Sequence, residues 1–437
     1  MTGRRRRRRG MAAASLVTAS MVLAACGGAQ DTSESSKTLT WYINPDSGGA
    51  DPSKEGQAGL AKKCTDASGG RYSITVQLLP NDASEQRQQL LRRLAADDKG
   101  VDIMSIDPVF VAEFAEADFL EPVPEDKVDT FKGDNVDPII ESAMWKDEMV
   151  AAPFWANTQV LWYRKSVAKE AGLDMTKPVT WQQVIEAAEK TDTTVGVQAM
   201  RYEGYMVWIN ALIEGAGGHV VENPGADGTE LKFGLDSEAG KAAATIIRTI
   251  ADKGLAGPAM GSSDETVALD LFQSDKSGFL LNWPYVYSAL QANEVDWLDD
   301  VGWARYPQTV EGEESKPPLG GIELGVNQAS EKKDLAWEAI ECITSEENQK
   351  AYMLGSGNPA ANKKVYEDSE IKEAFPTAEL IVESLDAGAP RPLTQYYGDV
   401  SAGIQREYSP PRSVDADTTP KKTTTLLQDV LKGDALL

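Results

Sequence analysis

The chain has 437 residues, with 68 Asp+Glu against 43 Lys+Arg, a net charge of −25, one histidine and three cysteines. No basic footprint for nucleic acid is present, and the acidic surface reads as a solubility device. The lone His219 leaves no Ser/His/Asp or Cys/His set with a spare partner and no histidine-based metal site. No P-loop and no GxSxG occurs, and the sequence calls for no cofactor.

Six arginines, Arg4 to Arg9, precede an uncharged run from Met11 to Ala25. That run is shorter than the roughly 20 residues of a membrane-spanning helix; with its basic flank it reads as a signal peptide over residues 1–25. Leu23-Ala24-Ala25-Cys26-Gly27 resembles the lipobox of bacterial lipoproteins, which implies that Cys26 is acylated and becomes the new N-terminus. Residues 26–37 are polar and Ser-rich, the composition of a flexible tether. Removing the six leader arginines leaves 37 basic against 68 acidic residues, a net of −31, on a length that fits two domains. In the oxidising compartment beyond the membrane, Cys64 and Cys342 are expected to pair rather than remain free buried thiols.

Leu39–Ile43 and Tyr72–Leu78 alternate as strands do, with a helix over Gly56–Ala67 between them. Asp82 and Glu85 form a capping-box pattern before a helix carrying Leu90, Leu91 and Leu94, and Val101–Ile106 is the next strand. This order is that of a parallel α/β sheet. Ligands bind such sheets outside the carboxyl ends of the strands, where Asn44, Asp46 and Asp107 fall.

From Asp147 to Arg164 the chain runs DEMVAAPFWANTQVLWYR, apolar except at Asn157, Thr158 and Gln159. These three either cap a turn between two strands or line a cleft where the chain crosses between lobes. Thr180 and Gln183 repeat the capping box before a helix Trp181–Lys190. Val195–Met200 reads as a strand leading into Arg201–Tyr205, then a helix Met206–Gly215. Helices over Ser237–Lys253 and Thr266–Phe272, a strand Gly278–Asn282 and a second Gly-rich apolar passage, Leu319–Ile322, follow. Ala336, Ala339, Ile340 and Ile343 form one helix face. The tail from Leu393 reads as irregular until a last helix, Thr423–Lys432.

Trp155, Tyr205, Trp283, Tyr285, Tyr396 and Tyr397 sit beside Gly, Pro or small polar residues at expected strand ends and loops. Flat rings stack on the C–H faces of sugars while Asp, Asn, Glu and Arg take the hydroxyls, although any one such ring more often fills a core.

SEQRQQLLRRLAADD, VDIMSIDPVFVAEFAEA, VAAPFWANTQVLWYR, EGYMVWINALIEGAGG, LLNWPYVY and PLGGIELGVN, in this order, resemble the solute-binding proteins of ABC importers in the family of the maltose-binding proteins. Within it they are most similar to actinobacterial trehalose-binding lipoproteins. The resemblance implies an α/β two-lobe periplasmic-binding-protein fold, each lobe a mostly parallel sheet flanked by helices. Lobe I would be 38–153 with 322–366, and lobe II 154–321 with 367–437. It implies sugar contacts from Asn44, Asp46, Asp107 and Asn157, from Glu203 and Tyr205, from the acid Glu265 and the stacking ring Trp283, from the backbone of Gly320 and Gly321, and from Arg391. It further implies a monomer, anchored to the membrane through Cys26, that closes on a disaccharide and docks on permease subunits. The contrasting expectation is a lipid-anchored glycosidase or transglycosidase using paired carboxylates.

Overall fold

The computed structural model describes residues 37–437. The expected signal peptide, Cys26 and the tether up to Ser36 lie outside the described residues. Among those described, no helix is long and apolar enough to cross a membrane.

The strands run β1 (Thr38–Ile43), β2 (Ser73–Leu78), β3 (Ile103–Ile106), β4 (Met144–Trp145), β5 (Glu148–Met149), β6 (Ala152–Thr158), β7 (Val160–Arg164), β8 (Thr194–Gly196), β9 (Ser277–Asn282), β10 (Val301–Ala304) and β11 (Leu319–Val326). They form two main sheets, ordered β2-β1-β3-β11-β6 and β10-β7-β9-β8, with β4 and β5 as a small hairpin. β1 pairs in parallel with β2 and β3, while β11 runs antiparallel to β3 and β6. In the second sheet β8 is parallel to β9, and β7 is antiparallel to β9 and β10. Helices cover both sheets, giving the two-lobe α/β architecture.

Local chemistry explains much of this. Asp82 accepts from the Glu85 N–H at 2.9 Å and starts the helix Ala83–Leu94. Thr180 and Gln183 complete a reciprocal capping box on the helix Trp181–Thr191. The helix Glu238–Lys253 ends at Gly254, whose left-handed backbone glycine adopts without a Cβ penalty. Cys64 and Cys342 form a disulfide with Cα atoms 5.9 Å apart. It ties the helix Gln57–Ala67 to the helix Lys333–Ile343.

The stretch Asp147–Arg164 turns out to be a crossing. β6 stays in the first sheet through Thr158, and β7 opens the second sheet at Val160. Gln159 lies buried between them, its Nε2 donating to Gln198 Oε1 at 3.1 Å. Gln198 in turn donates to the Leu281 carbonyl at 2.7 Å, which fixes the crossing to β9. β6 and β11 pair with a register shift between Ile322 and Glu323, opposite Pro153. Proline has no N–H to give the ladder, so the shift falls where a donor is missing. Glu323 is fully buried there. Its Oε1 accepts from Ser142 Oγ at 2.9 Å, and its Oε2 has no hydrogen-bond partner among the described residues.

Three expectations need correction. The strand over Val195–Met200 stops at Gly196, because Ala199 and Met200 give their N–H groups to the Ser263 carbonyl rather than to a ladder. The helix expected from Met206 begins at Glu203. The tail is not irregular after Leu393: Tyr397, Val400, Ser401 and Ile404 make one buried face of a helix Tyr397–Glu407.

Candidate ligand cleft

A cleft of about 460 Å³ lies where residues of the two sheets meet. Asn44, Asp107, Asn157, Glu203, Glu265, Trp283, Gly320, Gly321 and Arg391 all line it, with Pro45, Asn81, Asp82, Gln86, Trp155, Tyr202 and Val207 among their neighbours.

Asp107 ends β3 and starts a short turn, accepting from the Val109 N–H at 3.3 Å. Its Oδ1 also accepts from Arg391 Nη2 at 2.8 Å. Arg391 Nη1 donates to Glu203 Oε1 at 2.5 Å, so one buried guanidinium joins the two carboxylates. Glu203 receives further bonds from the Tyr397 hydroxyl and, at 2.7 Å, from Ser401 Oγ. Burial pushes the Glu203 carboxyl up, and Arg391, Ser401 and Tyr397 oppose that push by favouring the carboxylate. With both oxygens engaged, Glu203 positions Arg391.

Asn44 Oδ1 and its carbonyl both accept from Gln57 Nε2, at 3.1 and 2.8 Å, which turns its own amide nitrogen outward as a donor. Asn157 Oδ1 accepts from the Thr158 N–H at 3.0 Å, leaving its Nδ2 likewise. Gln86 gives Nε2 to the Pro80 carbonyl at 2.8 Å and keeps its oxygen for the cleft. Arg87 does not join it; its guanidinium pairs with Glu113 and lies over the Phe110 ring.

Opposite these groups, Trp283 Nε1 reaches Glu265 Oε1 at 3.4 Å. Glu265 opens the helix Glu265–Phe272, where the helix dipole favours negative charge. Gly320 lies beneath the indole: a Cβ there would sit 3.5 Å from the Trp283 ring. Gly321, at φ +128°, admits only glycine, since a Cβ would come within 2.2 Å of the Trp155 carbonyl oxygen.

Two expected contacts do not reach the cleft. Asp46 is committed to its own loop and the next helix, accepting from the N–H groups of Gly48 and Gly49 at 3.0 Å and of Gln57 at 2.7 Å. Tyr205 is fully buried, packs on Trp208 and donates its hydroxyl to the Tyr408 carbonyl at 3.0 Å. Tyr397 proves to be a support for Glu203, and Tyr285 donates to the Glu265 carbonyl at 3.3 Å. Tyr202 was not anticipated. Its ring folds over the first turn of the helix Glu203–Glu214, which Gly204 permits because a Cβ there would strike the Tyr202 hydroxyl. The sequence signal for it was the glycine following Tyr202-Glu203. Burial, with the Glu265 carboxylate close by, holds the Tyr202 hydroxyl protonated.

The two-sheet α/β fold thus holds a polar and aromatic cleft where the sheets meet. The family model for bacterial extracellular solute-binding proteins matches residues 51–350, and the chain belongs to that family. A probable ABC transporter-binding protein from Deinococcus radiodurans is 24% identical over 82% of this chain and 84% of its own length. Maltose-bound MalE3 of T. maritima is 26% identical, with a TM-score of 0.74 over 91% of this chain and 99% of that one. The sugar-binding protein MalE from the phytopathogen Xanthomonas citri, 16% identical, superposes with a TM-score of 0.75 over 91% and 98%. Membership in this family places the protein outside the cytoplasm.

Proposed function

We propose that this protein captures an α-linked disaccharide, trehalose first and maltose-like sugars second, and delivers it to the permease of an ABC importer. The observation that carries the reading is the pairing of donors and acceptors on Asn44, Asp107 and Asn157 with the Trp283 ring and Glu265 across one cleft. A sugar presents hydroxyls to the first set and a C–H face to the ring. The kinship to an ABC transporter-binding protein and to a maltose-bound one supports the importer role and the sugar class.

The lobes are taken as 38–153 with 322–366 and 154–321 with 367–437, although β6 and β11 both belong to the first sheet, so that the outward crossing falls at Gln159 and the return ahead of Leu319. A ligand shifts an open–closed equilibrium only by binding the two states differently, and Asp107 on one lobe with Trp283 on the other meets that condition. The protein acts as a monomer tethered by acylated Cys26. Arg391 engages both Asp107 and Glu203, which supports binding over turnover by that pair of carboxylates.

Titration calorimetry of the mature domain against trehalose, maltose, glucose and glycerophosphocholine tests this reading. Saturable binding of trehalose or maltose, without hydrolysis, is expected. Binding of glycerophosphocholine alone would replace the sugar reading, and release of glucose from a disaccharide would replace the binder by an enzyme.

A further inference from the structure

The charges lining the cleft do not balance. Asp82, Asp107, Glu203 and Glu265 face a single cation, Arg391, for a net of −3. Arg391 is committed to Asp107 and Glu203, 2.8 and 2.5 Å away. Glu265 forms no ion pair among the described residues, although it lines the same cleft. Its surroundings are aromatic instead: Trp283 with its N–H 3.4 Å from the carboxylate, Tyr285 bonded to its backbone carbonyl, and Tyr202 alongside.

A carboxylate without a cation, in a cleft of net negative charge, is complementary to a protonated amine. An ammonium there adds the attraction of opposite charges to its hydrogen bond with the carboxylate, and the net negative charge of the cleft favours the same cation. A hydroxyl at that place also donates a charge-assisted bond but brings no positive charge of its own, and an anionic group is repelled. We propose that the Trp283–Glu265 end of the cleft is an ammonium-accepting subsite, and that the preferred ligand class is a disaccharide carrying one amino group. This rests on the disaccharide reading above and narrows it.

The test compares trehalose with its monoamino-deoxy analogues by calorimetry at neutral pH, in the wild-type mature domain and in Glu265→Gln. At least one analogue is expected to bind about tenfold tighter than trehalose, a difference of about 1.4 kcal/mol. In Glu265→Gln that ratio is expected to collapse toward one. If trehalose binds and every analogue binds equally or more weakly, the ammonium subsite is overturned while the sugar reading stands. A preference that survives intact in Glu265→Gln overturns the assignment to Glu265. If neither trehalose nor any analogue binds, the disaccharide reading fails and the subsite with it.

Discussion

Arg391→Ala is expected to destabilise the protein by about 3–5 kcal/mol and to abolish measurable sugar binding. The side chain is 3% exposed and holds Glu203 on one lobe and Asp107 on the other. Its removal leaves Glu203 buried with only the Tyr397 and Ser401 hydroxyls as partners. An unpaired buried carboxylate is far more costly than an absent ion pair, which is why single truncation hurts more than replacing the whole set. Binding suffers separately, because Asp107 loses the guanidinium that orients it. Arg391→Lys separates the two effects: one ammonium keeps the charge and much of the stability but lacks the planar fork that spans two carboxylates. Urea unfolding midpoints and calorimetry on both variants check this. An Arg391→Ala protein as stable as wild type would contradict the account.

Glu323→Gln should act in the opposite direction, and only above mildly acidic pH. Burial raises the Glu323 carboxyl from 4.5 to about 8, with the Ser142 bond opposing only weakly. Between those values the folded protein keeps a proton that the unfolded chain releases. Stability therefore falls as pH rises through that window, by at most about 1.4 kcal/mol per pH unit, and levels off above it. Glutamine supplies the neutral shape without the titration. The stability difference between variant and wild type should grow in favour of Glu323→Gln from pH 5 to pH 8, measured by denaturant unfolding at each pH. Parallel curves across that range would show that Glu323 carries no such proton.

The elements legible in the sequence were those whose signals are local. Thr180 and Gln183 announced a helix start that the structure confirms atom by atom. The alternation in Leu39–Ile43 marked β1, and the face Ala336, Ala339, Ile340 and Ile343 is buried in its helix. Division of labour within the cleft was not legible. Glu203 and Tyr205 are two residues apart, and starting the helix at Met206 allowed both to face a ligand. With the helix starting at Glu203, residues i and i+2 point to different sides, so Glu203 lines the cleft and Tyr205 enters the core. Asp46 sits in a Pro-Asp-Ser-Gly-Gly turn, where an aspartate tends to bond its own following backbone, and it does. The helix Tyr397–Glu407 was hidden because Gly398 and Gly403 lower its propensity; tertiary packing of Tyr397, Val400 and Ile404 secures it.

The claim that one sugar is held from both lobes is tested most directly by thermal shift on wild type, Asp107→Ala and Trp283→Ala. The two variants remove one contact from each side of the cleft, and their fold is first verified by circular dichroism. Trehalose at a hundredfold excess over its Kd should stabilise wild type by about 2.7 kcal/mol. Each variant should lose most of that shift while remaining folded. A full shift in either variant would mean that the sugar does not bridge Asp107 and Trp283, and the two-lobe account of binding would fall.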